Sequence, residues 1–232
     1  MKLLAFETAT EACSVAVYND GEVHERFELA PRRHAELALP WAEQLLADAG
    51  IAKSQLDAIA VGRGPGAFTG VRLAISIAQG IALAMDKPVV PVSTLAALAM
   101  QAQGKRIVAA IDARMGEIYV AAFERDGSGL RALSQEAVVK PEAAIIPDGG
   151  DWHGIGTGFA AVGGVLQQRF SDRLAIVDAS ALPHAADVAL LAAMAFARGE
   201  LMAPERVEPA YLRDNVALTI VEQKALRDAG RT

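Results

Sequence analysis

The chain has 232 residues, 53% of them hydrophobic, enough for one large core or two small ones. Its net charge of −6 repels phosphate backbones at long range, and its cations are scattered among only 5% aromatics. Neither unaided nucleic-acid binding nor a base-stacking platform is expected. A lone cysteine, Cys13, excludes an internal disulfide and fits a reducing cytosol. The opening MKLLAFETAT reaches Glu7 after a run too short for a signal-peptide core, and the apolar stretch Ala185–Ala197 carries Asp187 and falls short of a membrane span. A cytoplasmic protein with no membrane association is the expectation.

In chain order, residues 3–21 give an apolar run, the acid Glu7, a short turn, a second apolar strand and a closing Asp20-Gly21. Asp-Gly between apolar runs signals a hairpin, because glycine accepts the positive φ such turns need. A third strand follows at 23–29. Residues 33–49 show helical periodicity, with a stripe of Ala35, Leu39, Ala42, Leu46 and Ala49 widened by Trp41 and Leu45. Pro40 should kink this helix or mark its true start. A strand at 58–62, a glycine-rich loop, a helix at 69–85, a strand at 89–92 and a helix at 94–103 complete the first half.

Residues 109–127 repeat the opening plan, with Asp112 as the acid and Asp126-Gly127 closing the later turn. Strands are expected at 107–112, 118–123, 152–156 and 174–177, and helices near 160–170 and 184–198. Hairpins followed by alternating helices and strands, done twice, predict two mixed α/β lobes, 1–104 and 105–232, split at Gln101-Ala102-Gln103-Gly104-Lys105. The tail from Met202 is expected to pack back across the lobes through Tyr211-Leu212-Arg213.

The loop GRGPGAFTGVR (residues 62–72) invites three phosphate readings. A P-loop needs two glycines five apart followed by Lys and Ser or Thr, a set this chain lacks. Gly62, Gly64 and Ala67 formally match the dinucleotide fingerprint, but Val89-Val90-Pro91-Val92 runs into Ser93 with no acid to hold a ribose. A kinase-type loop should be flanked by a hairpin, and this one is not. The following helix is more informative. Its polar side chains are Thr69 and one narrow stripe of Arg72, Ser76 and Gln79, so it must be covered on more than one side. Gly70, Ala74, Ala78 and Ala82 form a flat ridge that would let another helix approach closely. An open lobe covers one face with its sheet, and the other apolar face predicts a partner surface.

The segments ETATEACSVAVYNDG, GRGPGAFTGVRLAISIAQGIALA, IDARMGEIYVA, GTG and EPAYLRDNVA together resemble the TsaB family, also called YeaZ, over nearly the whole chain. The resemblance implies a duplicated actin-like, sugar-kinase-like (ribonuclease-H-like) α/β fold in two lobes. It implies a part in making threonylcarbamoyladenosine beside the anticodon of tRNAs reading codons that start with A, as a non-catalytic partner of the paralogue TsaD. The ATPase TsaE would join a ternary complex, tRNA would be met only through the complex, and the chain alone would form a homodimer. The implied partner interface lies on the helices at 33–49 and 69–85: Leu39, Trp41, Leu45, Gly70, Ala74, Ile75, Ile77, Ala78, Ile81 and Ala82.

TsaD carries a His-x-x-x-His metal pair after the strand that matches Pro91-Val92. Thr94 and Leu98 stand at those positions here, and leucine ligates no metal. His24, His34, His153 and His184 include no pair at helical spacing, and His34 is read as a surface or interface residue. Actin-like ATPases place an acid in the first turn of each lobe and glycines near the adenosine. Glu7, Thr8, Thr10, Asp112, Gly156 and Gly158 therefore mark a vestigial nucleotide site, with Glu7 one methylene longer than the usual aspartate. No cofactor is expected, and a nucleotide at the joint interface with a partner is left open. The alternative function is an ATP-dependent enzyme of the actin-like or sugar-kinase type acting between the lobes. A peptidase reading lacks support, since neither Ser14 nor Ser93 has His and Asp partners placed by motif.

Overall fold

In the computed structural model, which describes residues 1–213, two mixed sheets are covered by helices. The first holds β1 (Lys2–Glu7), β2 (Ala12–Asn19), β3 (Glu22–Leu29), β4 (Ala58–Gly62) and β5 (Val89–Val92), in the order β3-β2-β1-β4-β5. β1 to β3 form an antiparallel meander, while β4 pairs parallel with both β1 and β5. Asp20 and Gly21, both at positive φ, turn β2 into β3 as the Asp-Gly signal predicts.

The second sheet holds β6 (Arg106–Arg114), β7 (Glu117–Asp126), β8 (Gly129–Ala132), β10 (Trp152–Ile155) and β11 (Leu174–Asp178), in the order β11-β10-β6-β7-β8. The short β9 (Ala137–Val139) pairs with β7. Strand for strand, this order repeats that of the first sheet, so the halves share a topology and not merely a hairpin. β8 and β9 escape the sequence pattern because they are short and half-buried or exposed, without apolar alternation.

Alternation along the first sheet sorts its two faces. Leu4, Phe6, Ile59 and Val61 point toward α1 (His34–Asp48) and α2 (Phe68–Met85). Leu3, Ala5, Ala58 and Ala60 point the other way, against Ala185, Val188, Ala189 and Ala192 of α5 (Ala185–Ala197). The helix at 185–197, assigned from sequence to the second lobe, therefore lies on the first sheet. Small residues on both surfaces let helix and sheet approach closely. In exchange, α3 (Thr94–Met100) packs Leu95 and Leu98 against Ile107 and Ile111 of the second sheet. Each half lends a helix to the other.

Of two helices in question, the one expected at 33–49 forms and the one expected at 160–170 does so only in part. α1 starts at His34 and runs through Pro40 rather than beginning there; Pro40 and Glu36 are both exposed, so the carbonyl that loses its partner meets solvent. Of the helix expected at 160–170 only α4 (Val165–Arg169) forms, because Val162, Gly163 and Gly164 all take positive φ.

α5 is capped from outside its own sequence. The Ala185 N–H donates to Ser14 Oγ at 2.8 Å and the Ala186 N–H to Glu25 Oε1 at 3.0 Å. Ser14 Oγ donates to the same Glu25 oxygen at 2.6 Å, His184 Nδ1 lies 2.8 Å from Glu25 Oε2, and the imidazole stacks on Phe27. Burial opposes ionisation of Glu25, but the bonds from His184, Ser14 and Ala186 outweigh it and hold the carboxyl below its ordinary value. Glu25→Ala strips the first turn of α5 of one of its two side-chain acceptors and should cost about 1–3 kcal/mol. Urea unfolding of the variant measures this directly.

Candidate functional site

A cleft of about 280 Å³ separates the lobes, lined among others by Thr10, Arg32, His34, Asp112, Arg114 and Thr157. The glycine loop forms its floor on the first-lobe side and wraps the turn between β1 and β2. A methyl group at Gly66 would sit 2.4 Å from the Ala9 carbonyl oxygen, and one at Gly70 would sit 2.0 Å from that of Thr8. The Ala67 N–H donates to the Ala9 carbonyl at 2.7 Å, and Thr8 Oγ1 donates to the Gly70 carbonyl at the same distance. These glycines are required by backbone-to-backbone contact, without reference to any phosphate.

Glu7 lies beneath this layer. It is 1% exposed, its Oε1 accepts from the Ala9 N–H at 2.7 Å, and its Oε2 accepts from Thr94 Oγ1 at 2.9 Å. A methyl group at Gly62 would fall 2.0 Å from Oε2, so the carboxylate is sealed behind β4 and the cleft does not reach it. Burial pushes the carboxyl up to about 7, against the hydrogen bonds from Ala9 and Thr94. Thr8 is fully buried, and Thr10 reaches the cleft wall.

The second lobe is built differently. Asp112 faces the cleft, where Oδ1 accepts from the Arg114 N–H at 2.8 Å and Oδ2 from Arg114 Nη1 at 2.9 Å. Its own N–H donates to Thr157 Oγ1 at 3.1 Å. Gly156 and Gly158 are needed for packing: methyl groups there would meet the Ala110 carbonyl oxygen at 2.3 Å and Ala110 Cβ at 2.6 Å. The structure thus brings Thr10, Asp112 and Thr157 to one cleft and removes Glu7 from it. Two facing acids that could hold metal-bound water are not assembled, and these residues do not fit a hydrolysed nucleotide.

Other chemistry fails on geometry as well. Leu98 is fully buried in the core, and Thr94 spends its hydroxyl on Glu7. Among the described residues no three His, Cys, Asp or Glu side chains gather as a metal-binding group. Ser14 does meet a carboxylate and an imidazole, but in the wrong order. Glu25 stands between Ser14 and His184, so the imidazole cannot take the hydroxyl proton, and Ser14 is fully buried. His34 is half-buried with Nε2 3.0 Å from the Thr10 carbonyl, a structural contact at the cleft wall.

The structure places the residues expected at a partner interface on two sides of α1 and α2. Leu45, Ala74, Ile75, Ala78 and Ala82 are buried in the lobe's own core, because the Gly70 ridge lies against β1 and β4 rather than facing outward. Gly70 contacts Thr8. Leu39 is 48% exposed, and Trp41, Ile77 and Ile81 are half-buried at the rim. Only five of the 18 residues of α2 are buried, and Leu83 is 60% exposed. Ser76, Gly80 and Ala84, all exposed, make a second small-residue ridge on the outward side, with nothing among the described residues within 4 Å of a methyl group at Gly80. By length and composition α2 is the one helix among the described residues that could cross a membrane; its buried side rests on the first sheet.

The TsaB protein of Escherichia coli, named for tRNA threonylcarbamoyladenosine biosynthesis, is 44% identical to the chain over 94% of it and 96% of the relative. The TsaB of Haemophilus influenzae is 39% identical over 93% and 95%. The chain belongs to the TsaB family. A solved structure from Pseudomonas aeruginosa, described as an uncharacterized protein with similarity to peptidase YeaZ, superposes with a TM-score of 0.86 at 45% identity over 91% of this chain and 99% of that one. The family model of TsaD, tRNA N6-adenosine threonylcarbamoyltransferase, matches residues 13–220. The fold is therefore the TsaD-like, actin-like two-lobed α/β fold.

Sealing an acid in a TsaB-type lobe has a measurable consequence. The folded chain holds Glu7 with its pKa raised from 4.5 to about 7, so this group's contribution is fully present below pH 4.5 and is lost as pH rises through about 7. Glu7→Gln cannot titrate, and denaturant unfolding should show wild type losing about 2 kcal/mol more than the variant between about pH 5 and about pH 8.

Proposed function

We propose that this chain is a non-catalytic subunit in the threonylcarbamoyl modification of the adenosine beside the anticodon in tRNAs reading codons that start with A, and that it works by docking on TsaD. Membership of the TsaB family supports the pathway. The observation that carries the docking role is Gly80. A glycine inside an exposed helix costs about 1 kcal/mol against alanine, and among the described residues no contact needs it. Its bareness makes sense where another helix lies across Ser76, Gly80 and Ala84, flanked by Leu39, Ile77 and Ile81. The shallow apolar groove between α1 and α2, lined by Leu39, Ala42, Leu46, Ile81 and Met85, continues the same face.

On this reading the partner is TsaD in a heterodimer, TsaE joins the ternary assembly, and tRNA is met through the complex. Alone, the same face pairs with a second copy. No cofactor acts in the cleft, a nucleotide at the joint interface stays compatible with it, and the protein works in the cytoplasm away from membranes. Docking shifts TsaD toward a tRNA-competent state only through tighter binding to that state. The second reading, an ATP-dependent enzyme between the lobes, draws on the Asp112 cleft but has Glu7 sealed against it.

Two variants separate the readings. Gly80→Glu should fold normally, since its site is open, yet lose TsaD in pull-down and light scattering, whereas Gly80→Ala should raise the melting temperature by about 2 °C. Asp112→Ala should leave tRNA modification largely intact in a reconstituted assay. Complete loss with TsaD binding preserved would favour the enzyme.

A further inference from the structure

Two residues of the polar stripe on α2 are spent on the chain's own terminal segment. Gln79 Nε2 donates to the Pro204 carbonyl at 2.9 Å and the Val207 carbonyl at 3.2 Å, and Val207 is buried in the same core as α2. Arg72 Nη2 donates to Tyr211 OH at 2.8 Å, and its guanidinium lies between the rings of Phe68 and Tyr211, 3.3 and 5.0 Å from their centroids. Upstream, Met202 and Val89 exchange both backbone hydrogen bonds at 2.9 Å. The Ala210 N–H donates to the Arg63 carbonyl, in the glycine loop, at 2.9 Å.

The segment then leaves the first lobe. Arg213 Nη2 donates to the Ala113 carbonyl at 3.2 Å and to Glu117, and Nη1 lies 3.6 Å from Met115 Sδ, all in or beside the turn that joins β6 to β7. Ala113 lines the cleft between Asp112 and Arg114. A second tie sits nearby, where Arg63 Nη2 lies 3.2 Å from Glu136 of the other lobe. Residues 202–213 therefore run from the edge of the first sheet across α2 and the glycine loop to the rim of the second lobe.

We infer that residues 202–213 are a clasp that fixes how far the cleft between the lobes opens, with Arg213 as its pin on the second lobe and Arg63–Glu136 as the second tie. α3 and α5 join the lobes mainly through apolar packing, which resists separation but tolerates small sliding, and the bonds of Ser14 and Glu25 to the first turn of α5 lie on the far face of the first sheet from α2. The clasp adds directional bonds at the rim. Because it is built on α2, the docking helix and the second lobe are held in one frame. The inference concerns the isolated chain and stands whether or not TsaD is the partner.

The test is a pulsed electron-resonance distance measurement on the full chain, with spin labels on cysteines at Glu22 and Gln167 and the labelled protein diluted into unlabelled chain so that only distances within one molecule are read. The buried Cys13 does not compete for label. The parent pair should give one narrow distribution. Arg213→Ala should broaden it and add a longer component, Arg213→Lys should do so less, and Glu136→Gln should shift it the same way from the other tie. An unchanged distribution in both Arg213→Ala and Glu136→Gln, with melting curves showing folded protein, overturns the clasp.

Discussion

The turn joining β1 to β2 is the fixed point of the first lobe. Its carbonyl oxygens at Thr8 and Ala9 come so close to the glycine loop and the first turn of α2 that only hydrogen fits between them. This contact sets where α2 begins and how it is rotated. Ala74, Ala78 and Ala82 are thereby laid on the sheet, and Ser76, Gly80 and Ala84 are turned outward. The same closeness seals Glu7 behind Gly62 and Thr94. One packing constraint thus removes an acid from the cleft and presents an apolar helix face to the outside.

Much of the fold was legible because its signals are local. Asp20-Gly21, the pure apolar strand at Ala58–Gly62 and the long apolar helix after it each follow from neighbouring residues. The repeat of Glu7 and Asp112 predicted the duplication, and the matching strand orders carry it much further. What stayed hidden depends on contacts between distant segments. Nothing near 185–197 says that its alanines belong against Ala5 and Ala60, and the capping of α5 by Ser14 and Glu25 joins residues more than 150 positions apart. The outward ridge of α2 was missed for a related reason. Two small-residue ridges run along α2, and choosing between them requires knowing which one meets the sheet.

The two acids of the duplicated turns are held in different ways. Thr94 turns its hydroxyl to the buried Glu7 and so ties the start of α3 to the end of β1. Asp112 remains at the cleft but is held by Arg114, and the glycines at 156 and 158 persist because β6 leaves no room for anything larger. The first sheet carries α1 and α2 on one face. Their outward face is apolar and small at its centre and bulky at its rim, which is the relief a crossing helix needs.

The most direct measurement places a reporter on that face. A cysteine at Ser76 is exposed and conservative, and its rate of alkylation reads access to the ridge while the buried Cys13 stays silent. Adding TsaD in excess to dilute protein should slow the reaction at least about tenfold, the change expected if over nine-tenths of the ridge is covered at equilibrium. An unchanged rate, with TsaD shown to be bound, would contradict the assignment of this face as the docking surface.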